Sequence, residues 1–218
     1  MRRPVLVGSL GALVLALGGC DQRGAEPGER KALAESARLT RLQLAVPGRQ
    51  ALAPQDAALA SRHLYLPPGT RSLLPVHDPL VYGAFVWDEE GVPPGPLIVW
   101  VDLRRQLVSA FRGGHEIGTA VILYGAGEKE TPLGEFAILR KDSDYHSRTY
   151  DAPMPHSLFL TDDGVALHGS TVEGGRATHG CVGLPPEFAR LLFAAASRGD
   201  RVEIVRSDPA LGHEVALR

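Results

Sequence analysis

The sequence predicts a mostly β (α+β) domain covering residues 81–206 of the 218-residue chain. Short runs of aliphatic, β-branched and aromatic residues recur there between turn residues, which is typical of successive β-strands. Only one clear helix is predicted in this region, late in the sequence, and no internal repeat is visible. A strand-rich body with a single late helix is therefore the expected architecture.

The predicted strands begin where the proline-rich part of the chain ends. They cover Val81–Trp87, Leu97–Leu103, Gln106–Phe111, Glu116–Tyr124, Gly134–Lys141, Ser157–Thr161, Gly164–His168 and Arg201–Val205. Asp162-Asp163-Gly164 is a tight-turn signal between two of them. Pro185-Pro186-Glu187 predicts the start of the helix, with proline in the first turn and an acidic residue at its positive end. We expect this helix to continue to Ser197, before Gly199.

The first 20 residues have the organisation of a secretory signal. A basic start at Met1-Arg2-Arg3 is followed by an uncharged, mostly apolar run, Val5–Leu17, which is too short to span a membrane. Leu17-Gly18-Gly19-Cys20 resembles a bacterial lipobox, whose cysteine is lipidated and becomes the mature N-terminus. We expect an exported, periplasmic protein held at the membrane by a lipid on Cys20. An ordinary signal peptide with a chance cysteine is the alternative.

The remainder of the N-terminal region predicts little regular structure. Residues 21–80 are expected to form a polar tether, a short amphipathic helix near 31–46 and a proline-rich linker with little helix beyond Pro54–Arg62. Residues 207–218 are expected to be a C-terminal tail. The predicted division is thus a signal (1–20), this linker region, the β-rich domain (81–206) and the tail.

The charge balance gives no indication of a nucleic-acid partner. The formal net charge is −2 with mixed signs, so no basic surface indicates nucleic-acid binding. An apolar content of 44% is ordinary for a globular protein. We expect no cofactor, no metal ion and a monomer as the default state.

Cysteine usage directs attention to Cys181. The chain contains two cysteines, and if Cys20 carries lipid, Cys181 has no intramolecular partner in an oxidising compartment. A solitary thiol retained there is usually kept for chemistry. The alternative, a buried cysteine that behaves as a small hydrophobic residue, fits poorly with its polar, glycine-flanked setting.

Two histidines accompany this thiol, in Ala166-Leu167-His168-Gly169-Ser170 and Thr178-His179-Gly180-Cys181. A neighbouring imidazole can take the thiol proton and generate a nucleophilic thiolate. His179 lies two residues before Cys181, and His168 ends a predicted strand from which it could reach the thiol. Gly180 allows an unusual turn that would direct backbone amides at an oxyanion. Acyl transfer through a thioester is the reaction that these residue types favour.

The two segments resemble the catalytic motif of bacterial L,D-transpeptidases, the YkuD-type domain. That motif is a histidine–glycine pair, a spacer, and then serine or threonine followed by His-Gly-Cys. Further similarity occurs in the same order along about half of the chain, at Leu97–Leu103, Glu130–Phe136, Met154–Leu158 and Gly199–Val202. The resemblance implies an L,D-transpeptidase-like β-sandwich with one helix after the catalytic cysteine.

The resemblance also implies a role for each matching residue. Cys181 would be the nucleophile and His168 the general base and acid, its ring oriented by the Gly169 carbonyl. His179 would support the thiolate, and the Gly180 amide would contribute to the oxyanion hole. Substrate contacts are expected from Thr178, Ser170 and Tyr150, the last in a segment (145–154) expected to be a mobile flap or a plain surface loop.

The implied substrate is a peptidoglycan stem peptide. A tetrapeptide donor would lose its terminal D-alanine, and the acyl group would pass to the side-chain amine of a diaminopimelate or to another amine. Two rival interpretations remain: hydrolysis of the same acyl-enzyme, and a non-catalytic wall-binding lipoprotein. A zinc site formed by His168, His179 and Cys181 is disfavoured because the usual second cysteine or close histidine pair is missing.

Two departures from the family pattern bear on specificity. The spacer between His168 and Thr178 is short, which predicts a trimmed substrate-facing loop. The position two residues after the cysteine is commonly arginine or asparagine in the family, but it is Gly183 in this sequence. Arg176 or Arg148 is a candidate for supplying the missing charge.

Overall fold

The computed structural model describes residues 31, 46–125, 130–171 and 180–209. The chain divides into two compact units, residues 1–44 and 45–218, and every element bounded below belongs to the second. The helices are α1 (Pro54–Arg62) and α2 (Pro186–Ala195). The strands are β1 (Gln50–Ala51), β2 (Ser72–Leu73), β3 (Phe85–Trp87), β4 (Leu97–Asp102), β5 (Leu107–Arg112), β6 (His115–Val121), β7 (Leu123–Tyr124), β8 (Gly134–Ala137), β9 (Arg140–Ser147), β10 (Ala152–Phe159), β11 (Ala166–Gly169), β12 (Val182–Leu184) and β13 (Arg201–Val205).

The strands form two sheets. The larger has the order β1-β2-β6-β5-β4-β13-β8, with β3 also paired to β6. Its centre combines an antiparallel pair, β4 with β5, and a parallel pair, β4 with β13. The smaller sheet has the order β7-β12-β11-β10-β9, and in it only β11 and β12 run parallel.

The main hydrophobic core lies between the sheets and includes α2. Strand alternation supplies it, since every second side chain of a strand faces the same side. Val99 and Val101 enter from the larger sheet, Leu167 and Val182 from the smaller, and Phe188 from α2. All five are fully buried, which defines the molecule as a sandwich with one helix packed into it.

Helix α2 is held at both ends. Near its start, the Phe188 ring meets the Trp87 ring edge-on, with centroids 5.3 Å apart. Gly118 permits this contact, because a Cβ there would lie 2.2 Å from the Trp87 ring. At the other end, Lys141 of β9 donates from Nζ to the carbonyl oxygens of Phe193 (2.6 Å) and Ala196 (2.5 Å). A cation there satisfies carbonyls that the helix leaves unpaired and complements its dipole.

The outer face of the larger sheet is covered by the segment 46–80. Ala60 of α1, together with Leu66 and Leu73, forms a second cluster with Trp100 and Phe111 of the sheet. Strand β2 joins this sheet through the pair Ser72–His115, and β1 pairs with β2. These contacts make the segment part of the folded body.

A buried arginine fastens the beginning of this segment. The Arg49 side chain is fully buried and donates to the carbonyl oxygens of Glu116 (3.0 Å), Glu90 (3.1 Å) and Asp88. Glu116 in turn accepts a hydrogen bond from the Leu74 amide at 2.9 Å. Charged hydrogen bonds of this kind are stronger than neutral ones, so they hold the N-terminal strands in place.

The structure confirms the predicted fold class: a mostly β sandwich with a helix after Cys181. The helix Pro54–Arg62 and the strand Arg201–Val205 occur at the expected residues. The domain boundary at residue 81 requires correction, because the segment 46–80 contributes β1, β2 and α1 instead of forming a separate linker. Its prolines break long elements but leave room for two-residue strands at the sheet edge.

The segment 145–154, expected to be a mobile flap or a plain surface loop, is not a plain loop. Most of this stretch belongs to the hairpin of β9 and β10. Arg140 pairs with Phe159 at one end of this hairpin, and Ser147 pairs with Ala152 at the other. The sequence of β9 is polar and lacks the alternation that marks a half-buried strand, so its pattern gave no strand signal.

In the described part of the chain, no helix has the length and apolar character needed to cross a membrane.

Candidate active site

The parallel pairing of β11 and β12 brings together residues that are distant in sequence. Leu167 pairs with Val182 and His168 with Gly183, while Cys181 directly precedes β12. Leu167 and Val182 point into the main core. Strand alternation therefore places His168 and Cys181 on the opposite, outer face of the smaller sheet. Cys181 lies two residues before Gly183, the residue that pairs with His168.

Cys181 is partly buried against an apolar wall. Its side chain packs on Met154, Phe159 and Ala166, with Tyr145 beside them. The thiol donates to the carbonyl oxygen of Gly164 at 3.5 Å, a long contact. Within the described ranges Cys181 takes part in no disulfide. A half-exposed thiol on a shaped wall has the access that a nucleophile requires.

His168 is held in one orientation. It is 7% exposed, and its Nδ1 lies 2.9 Å from the carbonyl oxygen of Gly169. Because a carbonyl oxygen only accepts, Nδ1 carries the proton in the neutral ring and Nε2 carries the lone pair. Burial lowers the pKa of His168 below its usual range, and the hydrogen bond to Gly169 opposes this to a smaller extent. The ring is therefore poised as a neutral base at neutral pH.

The two glycines of the motif have distinct geometry. Gly180 has φ of +93°, in the region that side chains rarely adopt, so the turn before Cys181 requires glycine. Gly169 lies against Pro155 and α2, where a Cβ would be 3.1 Å from Pro155 Cγ. The Gly169 position therefore keeps β11 close to β10 and to the helix.

Ser170 occupies the space beside Gly183. Its amide donates to the Leu184 carbonyl at 2.8 Å, which extends the parallel pairing by one residue. A Cβ on Gly183 would lie 3.0 Å from Ser170 Cβ and 3.4 Å from Leu123 Cβ. The absent side chain at position 183 is thus matched by a serine that fills its volume.

The other predicted site residues fall outside this group or outside the described ranges. Tyr150 lies in the turn of the β9–β10 hairpin, 42% exposed. Thr178, His179 and Cys20 lie outside the described residues, as does Arg176. Arg148 is exposed in the same hairpin turn as Tyr150.

Sequence reasoning missed the wall on which the thiol packs. Tyr145, Met154 and Phe159 come from β9 and β10, and only strand pairing brings them to Cys181. Arg140 also lies along this wall: it pairs with Phe159, and its guanidinium is 3.6 Å from the centre of that ring. The Arg140 guanidinium thus stacks on an aromatic ring of the cluster against which Cys181 packs.

His179, one of the three residues considered for a zinc site, lies outside the ranges 46–125, 130–171 and 180–209. No group of three histidine, cysteine, aspartate or glutamate side chains in them is arranged to hold an ion. What the geometry offers instead is a thiol, an oriented neutral imidazole and a glycine turn, which are the components of covalent acyl transfer.

The known proteins that resemble this chain include L,D-transpeptidases. L,D-transpeptidase 1 of Mycobacterium tuberculosis is 27% identical over 161 residues, which cover 66% of this chain and 61% of that protein. The chain thus spans less than two thirds of that relative's length. Among solved structures, an L,D-transpeptidase from Stackebrandtia nassauensis has a TM-score of 0.48 at 26% identity, covering 54% of this chain and 58% of that one. The crystal structure of the M. tuberculosis L,D-transpeptidase 1 has a TM-score of 0.44 at 25% identity, with coverage of 50% and 62%.

The family itself is identified by a match to its sequence model. Residues 96–204, half of the 218-residue chain, match the L,D-transpeptidase catalytic domain named YkuD, and the matched stretch includes both His168 and Cys181. The family expected from the sequence motifs is therefore confirmed. The chain belongs to the YkuD family of L,D-transpeptidase catalytic domains.

Proposed function

We propose that this protein is a peptidoglycan L,D-transpeptidase that works through a Cys181 thioester. The observation that carries the proposal is the arrangement on β11 and β12: a thiol and a neutral, Nδ1-protonated imidazole share one face of two adjacent strands. Family membership supports a stem peptide as the substrate. No cofactor is needed for this chemistry.

Acylation would begin when His168 Nε2 takes the proton of the Cys181 thiol. The sulfur attacks the carbonyl carbon that joins the third residue of the tetrapeptide stem to its terminal D-alanine. A C–S bond forms, the C–N bond breaks, and the imidazolium returns its proton to the departing D-alanine amine. The Gly180 amide is our candidate oxyanion donor, since the φ of this residue turns the backbone immediately before the nucleophile.

Deacylation would use an amine from a second stem. His168 accepts a proton from the side-chain amine of the acceptor as its nitrogen attacks the thioester carbonyl. The C–S bond breaks, and the proton passes to the Cys181 sulfur, which restores the resting enzyme. His179 as thiolate support, and Thr178, Ser170 and Tyr150 as substrate contacts, belong to the same proposal by family resemblance.

Product analysis with a defined donor tests this function. The full chain would be incubated with a disaccharide tetrapeptide, alongside Cys181→Ala, and the products analysed by mass spectrometry. We expect a cross-linked dimer with loss of one D-alanine, and an acyl-enzyme adduct that is absent from the alanine variant. Tripeptide monomer alone would indicate hydrolysis. If the stem peptide gives no product, and neither the stem nor a carbapenem gives an adduct, both catalytic interpretations are contradicted. That result would favour a wall-binding protein.

We further propose that the protein is exported to the periplasm and anchored by a lipid on Cys20. The support is the signal-like N-terminus with its lipobox resemblance, together with a family that acts on the cell wall. Expression of Cys20→Ser should leave an unlipidated precursor that leaves the detergent phase on partitioning. Unchanged partitioning would contradict the anchor without affecting the catalytic proposal.

A further inference from the structure

We propose that Thr131 is a positioning residue for the nucleophile: its hydroxyl bridges two strands and holds the backbone carbonyl of Cys181 in its reactive alignment. The proposal rests on Cys181 being the nucleophile of the proposed function. Thr131 belongs to the Thr-Pro-x-Gly segment that precedes β8, and this segment has no place in the acylation steps described above.

The Thr131 hydroxyl is used in both directions. Its Oγ1 accepts a hydrogen bond from the Gly125 amide at 2.8 Å and donates to the Cys181 carbonyl oxygen at 3.4 Å. Thr131 is only 2% exposed, so water has little access to replace either contact. A buried hydroxyl with both donor and acceptor capacity engaged is costly to remove, because the Gly125 amide and the Cys181 carbonyl each lose a hydrogen-bond partner.

Strand register explains why a side chain stands at this point. Strands β7 and β12 are paired antiparallel through Leu123–Gly183 and Tyr124–Val182. The next position along this ladder would pair Gly125 with Cys181. There the Thr131 hydroxyl lies between the Gly125 amide and the Cys181 carbonyl. The threonine thus acts as a spacer at the end of the ladder, where the backbone leaves the regular strand for the Gly180 turn.

The spacer is itself held firmly. Pro132 restricts the backbone of Thr131 to extended conformations. A few residues on, β8 pairs antiparallel with β13 in the larger sheet, from Gly134–Ile204 to Ala137–Arg201. Thr131 therefore reaches the nucleophile from a segment anchored in the other sheet, so its hydroxyl has a fixed position and not merely a favourable contact.

Holding the Cys181 carbonyl fixes the peptide plane that follows the nucleophile. Together with the Gly180 turn on the other side of the residue, this plane limits the direction of the Cα–Cβ bond and hence the path of the sulfur to a substrate carbonyl. Without the hydroxyl, either the buried Gly125 amide loses its acceptor or the ladder closes by one more pair and draws Cys181 into the strand. Both outcomes misalign the sulfur, and small misplacements reduce acylation strongly.

Three variants separate alignment from stability. Thr131→Val keeps the shape but removes the hydroxyl, whereas Thr131→Ser keeps the hydroxyl. Thr119→Val is the matched control, because Thr119 is fully buried and shares a hydroxyl pair with Ser109 (3.2 Å) in the larger sheet. Two rates are measured for each variant: acylation by a carbapenem, which requires alignment at a carbonyl, and alkylation by iodoacetamide, which requires only an accessible thiolate.

We expect Thr131→Val to lower the acylation rate about tenfold, the equivalent of one lost hydrogen bond, while alkylation changes less than about twofold. Thr131→Ser should recover acylation, and Thr119→Val should lower the melting temperature without changing either rate. The proposal would be overturned if Thr131→Val were acylated at the same rate as the wild-type protein. It would also be overturned by equal losses in both rates, or by the same acylation loss in the serine variant.

A separate readout keeps this inference distinct from the proposed function. If the wild-type protein is acylated by neither a stem peptide nor a carbapenem, the function fails, yet the bridge can still be measured. Amide exchange at Gly125 should then accelerate in Thr131→Val and not in Thr131→Ser, and the Cys181 carbonyl carbon should shift in NMR only in the valine variant. Unchanged exchange and an unchanged shift would contradict the bridge itself.

Discussion

At the scale of single residues, His168 illustrates what local sequence can indicate. Its neighbour Gly169 provides the carbonyl that fixes the ring, so the contact that selects the tautomer is encoded one position away. The wall formed by Tyr145, Met154 and Phe159 could not be read in this way. Those residues meet Cys181 only through pairing of β9, β10 and β11, and no local pattern records a contact between distant strands.

The lowered pKa of His168 leads to a prediction about pH. Burial disfavours the imidazolium, so the folded protein keeps the neutral base to a lower pH than the usual value near 6.5. We expect the acid limb of kcat/KM for acylation to lie below pH 6.5, and His168→Gln to acylate very slowly at every pH. The assignment of His168 as the base would be contradicted by an acid limb above pH 6.5. It would also be contradicted if His168→Gln were acylated at the wild-type rate.

The same shift affects stability with a definite sign. A histidine whose folded pKa is depressed contributes stability that is present above its unfolded pKa and lost as the pH falls through the folded value. His168→Gln should therefore show a smaller loss of unfolding free energy than wild type when the pH is lowered from about 7 to 5. Parallel urea titrations at the two pH values measure this difference.

At the scale of the secondary-structure elements, β12 shows the limit of pattern reading. It has only three residues, Val182–Leu184, and follows a catalytic motif that reads as a turn. Its strand conformation depends on parallel pairing with β11, a tertiary contact. The longer strands β4 and β5 were predictable from mostly apolar runs bounded by turns, and β13 from its alternation of charged and apolar residues. Short elements defined by their partners are the ones that sequence misses.

Gly183 in β12 offers a test of packing at this scale. Gly183→Ala would bring a Cβ within 3.0 Å of Ser170 Cβ, which is fixed to the backbone and cannot rotate away. We expect a loss of about 1–2 kcal/mol of unfolding free energy, less than a typical overpacking cost because alanine also restricts the unfolded chain. Urea unfolding of the single and double variants measures the coupling between the two positions.

The partner substitution at Ser170 provides both rescue and control. Ser170→Gly removes the clashing Cβ and should restore most of the stability lost in Gly183→Ala. Ser170→Ala keeps that Cβ and should restore none. If the changes in unfolding free energy are additive in the double variant Gly183→Ala, Ser170→Gly, the two positions do not compete for the same space.

At the scale of the whole molecule, the segment 46–80 is as much part of the sandwich as the family domain that it covers. Its prolines favoured a linker interpretation, since they exclude long helices and central strands. Two-residue strands and one short helix nevertheless suffice to bury Leu66 and Leu73 against Trp100 and Phe111. Composition described the breaks in this segment correctly but not the apolar contacts between them.

Truncation at two positions tests this role. Residues 45–218 should unfold cooperatively, whereas residues 81–218 should be unstable because Trp100 and Phe111 lose their cover. Burial of two leucines alone contributes about 3–6 kcal/mol, comparable with the total stability of many domains. Calorimetry of both fragments, with Leu66→Ala in the longer one as an intermediate, measures the effect. A stable 81–218 fragment with a cooperative transition would contradict it.

On the proposed function, the parallel pairing of β11 and β12 also determines when His168 can activate the Cys181 thiol. His168 and Cys181 are brought to adjacent strands only by that pairing, so in an unfolded chain the proposed base is not held beside the thiol. An unfolded chain should therefore be acylated more slowly than the folded protein, because activation waits for a non-local contact. A time-resolved acylation assay during refolding would therefore report when the β11–β12 pairing forms.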